Sequence, residues 1–190
     1  MTKLTALNLA EAVIVAGPGS DEHSETSGYM ASYDDMLPES AMRFHKSLVK
    51  IILPKRLKEI GFCAFDGCSS LSGSIIIPEG VTRIDDWAFA NCNFSGELSL
   101  PSTLEHIGLA AFSRCPFSCE LKLPEGLKTI GNEAFDGCSN LFGTLVLPTH
   151  LEEIGNSAFY GCDNLSGDLV IPQGITRINY YSFSGNMGSK

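Results

Sequence analysis

The sequence IGNEAFDGCSNLFGTLVLP, residues 130–148, decides the fold because the chain repeats it with small changes. Its Ala-Phe pair is followed three residues later by a cysteine, and the copies lie 23 or 24 residues apart. Their phenylalanines are Phe65, Phe89, Phe112, Phe135, Phe159 and Phe183. A period of this length predicts a solenoid, in which each coil of the chain buries its apolar side chains against the neighbouring coils.

Within a copy, the side chains before the closing proline alternate in character. Leu145 and Leu147 are expected inside, and Thr144 and Val146 outside, because successive side chains of a strand point to opposite faces. A second apolar column consists of Ile60, Ile84, Ile107, Ile130, Ile154 and Ile178. The sequence therefore predicts six or so stacked coils, with a parallel β-sheet along the face of the Leu-x-Leu-Pro segments and short helical or irregular segments elsewhere.

The chain divides into residues 1–39, which precede the array, and residues 40–190, which form it. Apolar alternation from Leu4 onwards predicts an N-terminal capping coil, and residues 17–37 are rich in Gly, Ser, Asp and Glu, which predicts an acidic surface loop. The last coil stops near Asn186 without the polar cap that terminal repeats normally carry. We therefore expect either a C-terminal truncation of the array or a partner that covers this end.

Charge and hydropathy exclude several partners. The net charge is −9 and no basic stripe is present, which argues against nucleic-acid backbones and anionic membrane surfaces. The apolar run Ala12–Ala16 is far shorter than the ~20 residues that span a bilayer. Asn8 and Glu11 interrupt what would be the apolar region of a signal peptide. We expect no nucleic-acid partner and no direct membrane insertion.

Five of the seven cysteines occupy one column of the repeat: Cys68, Cys92, Cys115, Cys138 and Cys162. Stacked side chains point the same way, so we expect free, buried thiols that behave as small hydrophobic groups. Strand spacing of about 4.8 Å leaves a disulfide between coils open as the alternative. A column of single cysteines lacks the paired spacing of a zinc site, so no metal site is predicted.

The recurring pattern, written IGNSAFYGCDNLSGDLVIP at residues 154–172, resembles the BspA-like leucine-rich repeats, also called treponema-type or LRR_5 repeats. The resemblance covers residues 39–186 and is specific, because ordinary leucine-rich repeats lack the Ala-Phe pair and its cysteine. It implies a leucine-rich-repeat solenoid in a secreted or cell-surface bacterial protein, and some relatives bind host extracellular-matrix proteins or other bacteria. The chain departs from the pattern at Met42, His45, Phe94, Phe117, Ser182 and Asn186.

The outward strand positions are the candidate binding residues: Ile52, Ile76, Ser99, Lys122, Val146 and Val170. Their apolar members would form a contact strip for a protein partner. The alternative is that β-branched residues occupy these positions because they pair well across strands. Trp87, just before Ala88-Phe89, is a further candidate, because tryptophan is enriched at binding sites. Its position carries different residue types in different coils, so we expect the side chain to be exposed. The alternative is a partly buried ring on the coil flank.

The remaining groups of residues give weaker indications of a binding or catalytic site. Tyr160, Tyr180 and Tyr181 would form an aromatic patch near the C-terminal end. The Asp21–Asp35 stretch offers carboxylates for calcium but matches no EF-hand spacing, so a solvated loop is the alternative. The four histidines are scattered and form no HExxH pair, and the Gly17–Ser20 turn lacks the lysine of a phosphate-binding loop. The column cysteines are expected to be buried, and buried thiols are poor nucleophiles. We predict neither catalysis nor a cofactor.

The sequence thus predicts a non-catalytic protein-binding or adhesion module at the cell surface or secreted, which makes several weak contacts along its sheet face. The partner that the resemblance implies is a host extracellular-matrix protein or another bacterial surface protein. Two alternatives remain: a passive structural spacer and an accessory segment of a larger secreted enzyme.

Overall fold

A computed structural model describes residues 6–8 and 35–185 of the chain. Every strand pair in these ranges is parallel, and the ranges contain no helix. The strands are β1 Ala6–Asn8, β2 Met36–Leu37, β3 Lys50–Ile52, β4 Glu59–Ile60, β5 Ile75–Ile76, β6 Arg83–Ile84, β7 Leu98–Ser99, β8 His106–Ile107, β9 Thr129–Ile130, β10 Gly143–Thr144, β11 Glu153–Ile154 and β12 Leu165–Ser166. The predicted solenoid of stacked coils is confirmed.

One sheet runs along most of the solenoid, in the order β2, β4, β6, β8, β9, β11, and we call it the continuous ladder. Each isoleucine pairs with its repeat equivalent, as Ile107 does with Ile130. The N–H of Gly131 donates to the Ile107 carbonyl at 2.8 Å. A Cβ on Gly131 would lie 2.6 Å from the backbone carbon of Gly108, so glycine lets the coils approach this closely.

The Leu-x-Leu-Pro face differs from the prediction. Its strands pair only two at a time, as β1 with β3, β5 with β7 and β10 with β12, and we call this face the interrupted ladder. Residues 121–123, 145–147 and 169–171 form no strand, and their backbone hydrogen-bonds to no other described residue. The side chains still alternate as predicted, since Leu145 is 4% exposed and Val146 is 64% exposed. The main hydrogen-bonded sheet therefore lies on the isoleucine face instead.

A change of register explains the interruption. Gly143 pairs with Leu165, although its repeat equivalent is Gly167. The pair formed by β10 and β12 is therefore two residues out of step with the repeat. Residues 145–147 and 169–171, which follow these two strands, do not continue the ladder.

The phenylalanine rings form a single file through the core. Successive rings from Phe65 to Phe183 have centroids 5.2, 5.5, 5.4, 5.4 and 5.7 Å apart and are nearly parallel. Phe94 and Phe117, which replace leucine in the two shorter coils, stack on each other at 5.9 Å and meet this file edge-on. The larger rings fill the space left where one residue is missing, so these departures from the pattern preserve the packing.

The Ala-Phe turns join the coils through a third set of hydrogen bonds. The N–H of Phe65 donates to the Ala88 carbonyl of the next coil at 2.7 Å, while the N–H of Ala64 donates within its own turn to Gly61. The residue before the Ala-Phe pair has a positive φ in every coil: Ser40, Cys63, Trp87, Ala110, Glu133, Ser157 and Tyr181. Such a conformation costs a non-glycine residue roughly 1–3 kcal/mol, which the inter-coil bonds and buried rings offset.

All seven cysteines are free and buried, which confirms the prediction made for the five column cysteines. The thiol of each column cysteine donates to a backbone carbonyl of the preceding coil. The acceptor is Met42 for Cys68 and a phenylalanine for the other four; Cys115 to Phe89, for example, spans 3.1 Å. Burial raises the pKa of Cys68 to about 11 and that of Cys162 to about 12, and it raises the pKa of Cys138 well above its ordinary value. These thiols are therefore protonated at neutral pH and unreactive.

The two ends of the array are partly described. β1 pairs in parallel with β3, Ala6 opposite Lys50, whereas most of the predicted capping coil and acidic loop lies outside the described residues. In the last coil, the side-chain amide of Asn179 donates to the Ile154 carbonyl at 2.7 Å. Ile178 is 58% exposed there, while its equivalents in the other coils are buried. The last coil is thus the loosest of those described. The division of the chain at residue 40 stays a prediction.

Candidate protein-binding face

The structure exposes most of the outward side chains predicted on the interrupted ladder. Ile52, Ile76, Lys122, Val146 and Val170 are all exposed, and Ser99 is half-buried. They do not form one apolar strip, because Ser99 and Lys122 lie in the coils between Ile76 and Val146. The face therefore carries two apolar patches with a polar centre.

The C-terminal apolar patch borders a groove of about 550 Å³, which we call the apolar groove. It lies where the interrupted ladder opens between residues 145–147 and residues 168–173. Its apolar lining consists of Leu145, Val146, Leu147, Val170, Ile171 and Pro172. Polar side chains come from Thr149, Asp168 and Gln173. The carboxylate of Asp168 is the single charge among these lining residues.

The polar centre of the face borders a second groove, of about 420 Å³, which we call the charged groove. Glu97, Glu120 and Lys122 line it, and the Lys122 ammonium lies 3.7 Å from the Glu120 carboxylate. The N–H of Leu98 donates to the sulfur of Cys119 at 3.4 Å. That bond takes the place of a strand-to-strand bond to the next coil, which explains why the ladder opens here as well.

Trp87 lies away from this face, in an Ala-Phe turn. Its ring is half-buried and its φ is 60°. This agrees with the alternative of a partly buried ring on the coil flank. The expectation that the position is exposed is wrong for the equivalent residues Cys63 and Ala110, which are buried. Trp87 and the outward ladder residues therefore do not form one site.

The predicted aromatic patch is present near the C-terminal end. The rings of Tyr160 and Tyr181 meet edge-to-face with centroids 6.3 Å apart, and Tyr180 is also exposed. Tyrosines are enriched in binding surfaces. This patch is an exposed aromatic surface that shares no residue with the apolar groove.

A polar cluster on the continuous ladder was missed at the sequence level. His106 Nδ1 lies 2.9 Å from the Thr129 hydroxyl, and the Lys128 ammonium donates to Glu105 at 2.6 Å. This hydrogen bond lowers the pKa of Glu105 and raises that of Lys128. Both groups are exposed, so the pair adds little to stability. The equivalent positions of other coils carry different residue types, so no repeated spacing in the sequence indicates this cluster.

Other chemistry finds little support in the described part of the chain. Among residues 6–8 and 35–185, no three potential ligand side chains come close enough to hold a metal ion. The same residues contain no helix that is long and apolar enough to cross a membrane. Of the acidic stretch considered for calcium, only Asp35 is described, and its carboxylate lies 3.4 Å from Arg56. The calcium hypothesis otherwise falls outside the described residues.

The stacked parallel coils and their exposed outer face define a leucine-rich-repeat solenoid. The BspA type leucine rich repeat region matches residues 36–166 and 142–189 in six copies, and the chain belongs to this family. A leucine-rich repeat protein of T. pallidum is 30% identical; the match covers 87% of this chain and 69% of that one, with a TM-score of 0.67. A leucine-rich repeat protein of Bacteroides ovatus is 25% identical, with a TM-score of 0.69.

The match to the Bacteroides ovatus protein covers 96% of this chain and 49% of that one, so the chain spans about half the length of that relative. No functionally curated protein matches the sequence significantly. The comparisons establish the repeat family and the fold, and proteins of this kind commonly mediate protein–protein interactions.

Proposed function

We propose that this chain is a non-catalytic protein-binding module of a secreted or cell-surface protein, and that it binds through the interrupted ladder. The observation that carries the proposal is the pair Val146 and Val170, which are 64% and 75% exposed beside the apolar groove. Exposed β-branched side chains beside a concave apolar surface are typical of interaction sites. Membership of a repeat family that commonly binds proteins supports the same function.

The two grooves would make different contributions to binding. Complete burial of a valine side chain stabilises a complex by about 1.5–3 kcal/mol, so the apolar groove supplies affinity. The side chains of Glu97, Glu120 and Lys122 in the charged groove supply orientation, because exposed charges affect specificity and association rate more than affinity. If one partner contacts both grooves, binding at the first groove raises the effective concentration of the partner at the second and so strengthens the overall binding.

Adhesion to a host extracellular-matrix protein is the specific form of this function that we put forward. Its support is the BspA-like repeat pattern, whose relatives include proteins that bind host matrix or other bacteria. Another bacterial surface protein is the second partner class that the same resemblance favours.

The test measures binding of the purified chain to immobilised fibronectin, fibrinogen and laminin on a biosensor. A Val146→Asp, Val170→Asp double variant places charge beside the apolar groove and is expected to weaken binding at least about tenfold, or 1.4 kcal/mol. A Tyr160→Asp, Tyr180→Asp variant is the matched control, since it adds the same charge to exposed residues elsewhere and is expected to bind like the original chain.

Equal binding by the valine variant would contradict the proposal that the interrupted ladder is the site. Selective loss in the tyrosine variant would move the site to the aromatic patch. Failure of the unaltered chain to bind any matrix protein would reject host-matrix adhesion. Circular dichroism of each variant shows that a loss of binding does not come from unfolding.

A further inference from the structure

The direction of the backbone hydrogen bonds on the interrupted ladder can be read from its best-paired strands. The N–H of Ile75 donates to the Glu97 carbonyl, and the N–H of Ile77 donates to the Ser99 carbonyl, both at 2.9 Å. Amides of inward residues thus point to the following coil, and carbonyls of outward residues point back. In a parallel strand, the N–H and C=O of one residue point to the same side.

The same positions recur at the apolar groove, but there they are unpaired. By repeat alignment, Leu145 and Leu147 correspond to Ile75 and Ile77, while Asp168 and Val170 correspond to Glu97 and Ser99. None of these four backbones hydrogen-bonds to another residue in the described ranges. Both walls of the apolar groove therefore present free backbone donors and acceptors toward it.

A free strand edge is a template for pairing with another chain. We propose that the apolar groove holds an extended peptide segment of the partner protein, which pairs by backbone hydrogen bonds with residues 145–147 and 168–171. The inference rests on the proposed function and specifies how that site recognises its partner. It belongs to the recognition mode in which main-chain bonds give affinity and alternate side-chain pockets give specificity.

The side chains around the groove define the chemistry of this peptide. Val146, Val170 and Pro172 are apolar and take apolar side chains, which repeat at every second residue of an extended strand. Asp168 is exposed and carries the only charge of the lining, so it selects a lysine or arginine at a neighbouring position. Val146, Val170 and Asp168 all lie on the outward face, so the preferred segment carries its β-branched and basic side chains on one face, at every second residue.

A small-molecule ligand fits the same groove less well. The volume of about 550 Å³ is within the range of roughly 300–1,000 Å³ for ligand pockets. Such pockets, however, usually carry a few polar side chains that converge on one point. Here the free polar groups form two rows along the backbone, and their spacing matches a strand that repeats every ~3.3 Å per residue.

The test uses a fluorescent peptide of about eight residues, a length chosen to exceed a typical strand. Every second residue is valine or lysine in turn, and the residues between them are alanine. Fluorescence polarisation measures its binding to the whole chain. A second peptide carries N-methyl groups on alternate residues, which removes backbone donors and keeps every side chain. A third replaces lysine with glutamate. We expect both changes to weaken binding at least about tenfold, that is, by 1.4 kcal/mol.

Variants of the protein supply the matched comparison. Val170→Pro removes an N–H that faces the apolar groove, whereas Val170→Ile keeps that N–H and an exposed β-branched side chain at the same position. We expect Val170→Pro to bind the peptide at least about tenfold more weakly than Val170→Ile. Thermal unfolding of both variants checks that the fold is retained, and the N-methylated peptide needs no variant at all.

Equal affinity for the normal and N-methylated peptides would overturn the inference, because apolar contact alone would then account for binding. No binding of the valine–lysine peptide would overturn it too. In either case, the Val146→Asp, Val170→Asp result with matrix proteins still decides the proposed function, so failures of the two ideas are distinguishable.

Discussion

The two ladders of this solenoid are built from the same repeats, yet one is continuous and the other is broken. The continuous ladder follows a segment of constant length: the spacing from the coil's proline to its isoleucine is the same in Pro54–Ile60 and in every later coil. On the interrupted ladder, β5 and β7 pair in step with the repeat, whereas β10 and β12 pair two residues out of step. A hydrogen-bonded ladder needs constant register, whereas a buried side chain tolerates small shifts.

The two ladders differ in which groups remain available to a partner. On the continuous ladder, backbone groups pair with the neighbouring coils and leave only side chains for a partner. On the interrupted ladder, backbone groups and apolar side chains at the apolar groove remain available together. Natural proteins usually cover such edges. An edge left open beside exposed valines therefore favours a binding role for that face.

The largest expected effect compares one substitution on each ladder. Ile130→Ala removes a fully buried side chain from the middle of the continuous ladder, and we expect it to lower the free energy of unfolding by about 2–5 kcal/mol. Leu123→Ala, on the interrupted ladder of the same coil, removes a half-buried side chain and should cost about 1 kcal/mol. Urea unfolding measures both values, and equal losses would contradict the distinction between the two faces.

A second prediction concerns the cysteine thiols that are buried in the core. Burial raises the pKa of Cys68 to about 11 and of Cys162 to about 12, whereas unfolded thiols titrate near 9. Above about pH 9, the unfolded chain loses thiol protons that the folded chain keeps, so the free energy of unfolding falls. Each buried thiol contributes about 1.4 kcal/mol per pH unit to this fall until its folded pKa is passed.

Urea unfolding between about pH 8 and about pH 10 measures this slope. A variant with Cys115→Ala and Cys138→Ala lacks two thiols whose pKa burial raises well above the ordinary value, so its stability should fall less steeply, by about 2.7 kcal/mol per pH unit. An unchanged slope in this variant would show that the column thiols titrate normally in the folded protein.

Much of the fold follows from the sequence because a repeat places equivalent side chains in equivalent surroundings. The period alone predicts the file from Phe65 to Phe183 and the buried thiols. It does not predict which segments pair, because backbone register depends on loop conformation and not on side-chain type. The sequence consequently placed the main sheet on the Leu-x-Leu-Pro face, where the structure shows only two-stranded pieces.

The candidate site follows from the sequence to a lesser extent. Alternation predicts that Val146 and Val170 point outward, and the structure confirms their exposure. The groove between their coils arises from the register shift at Gly143 and Leu165, which no residue type signals. Trp87 was predicted as a candidate from its residue type and from the variability of its position between coils. Its orientation depends on a left-handed backbone conformation that the sequence does not indicate.

Amide hydrogen exchange, read residue by residue with NMR, tests the contrast between the ladders most directly. The amides of Gly108, Gly131 and Gly155 donate to the preceding coil on the continuous ladder, and we predict that they exchange only on extensive unfolding. The amides of Leu145 and Leu147 on the interrupted ladder should exchange much faster. Equal protection of these two leucine amides would show that the second ladder is closed in solution and would contradict the account.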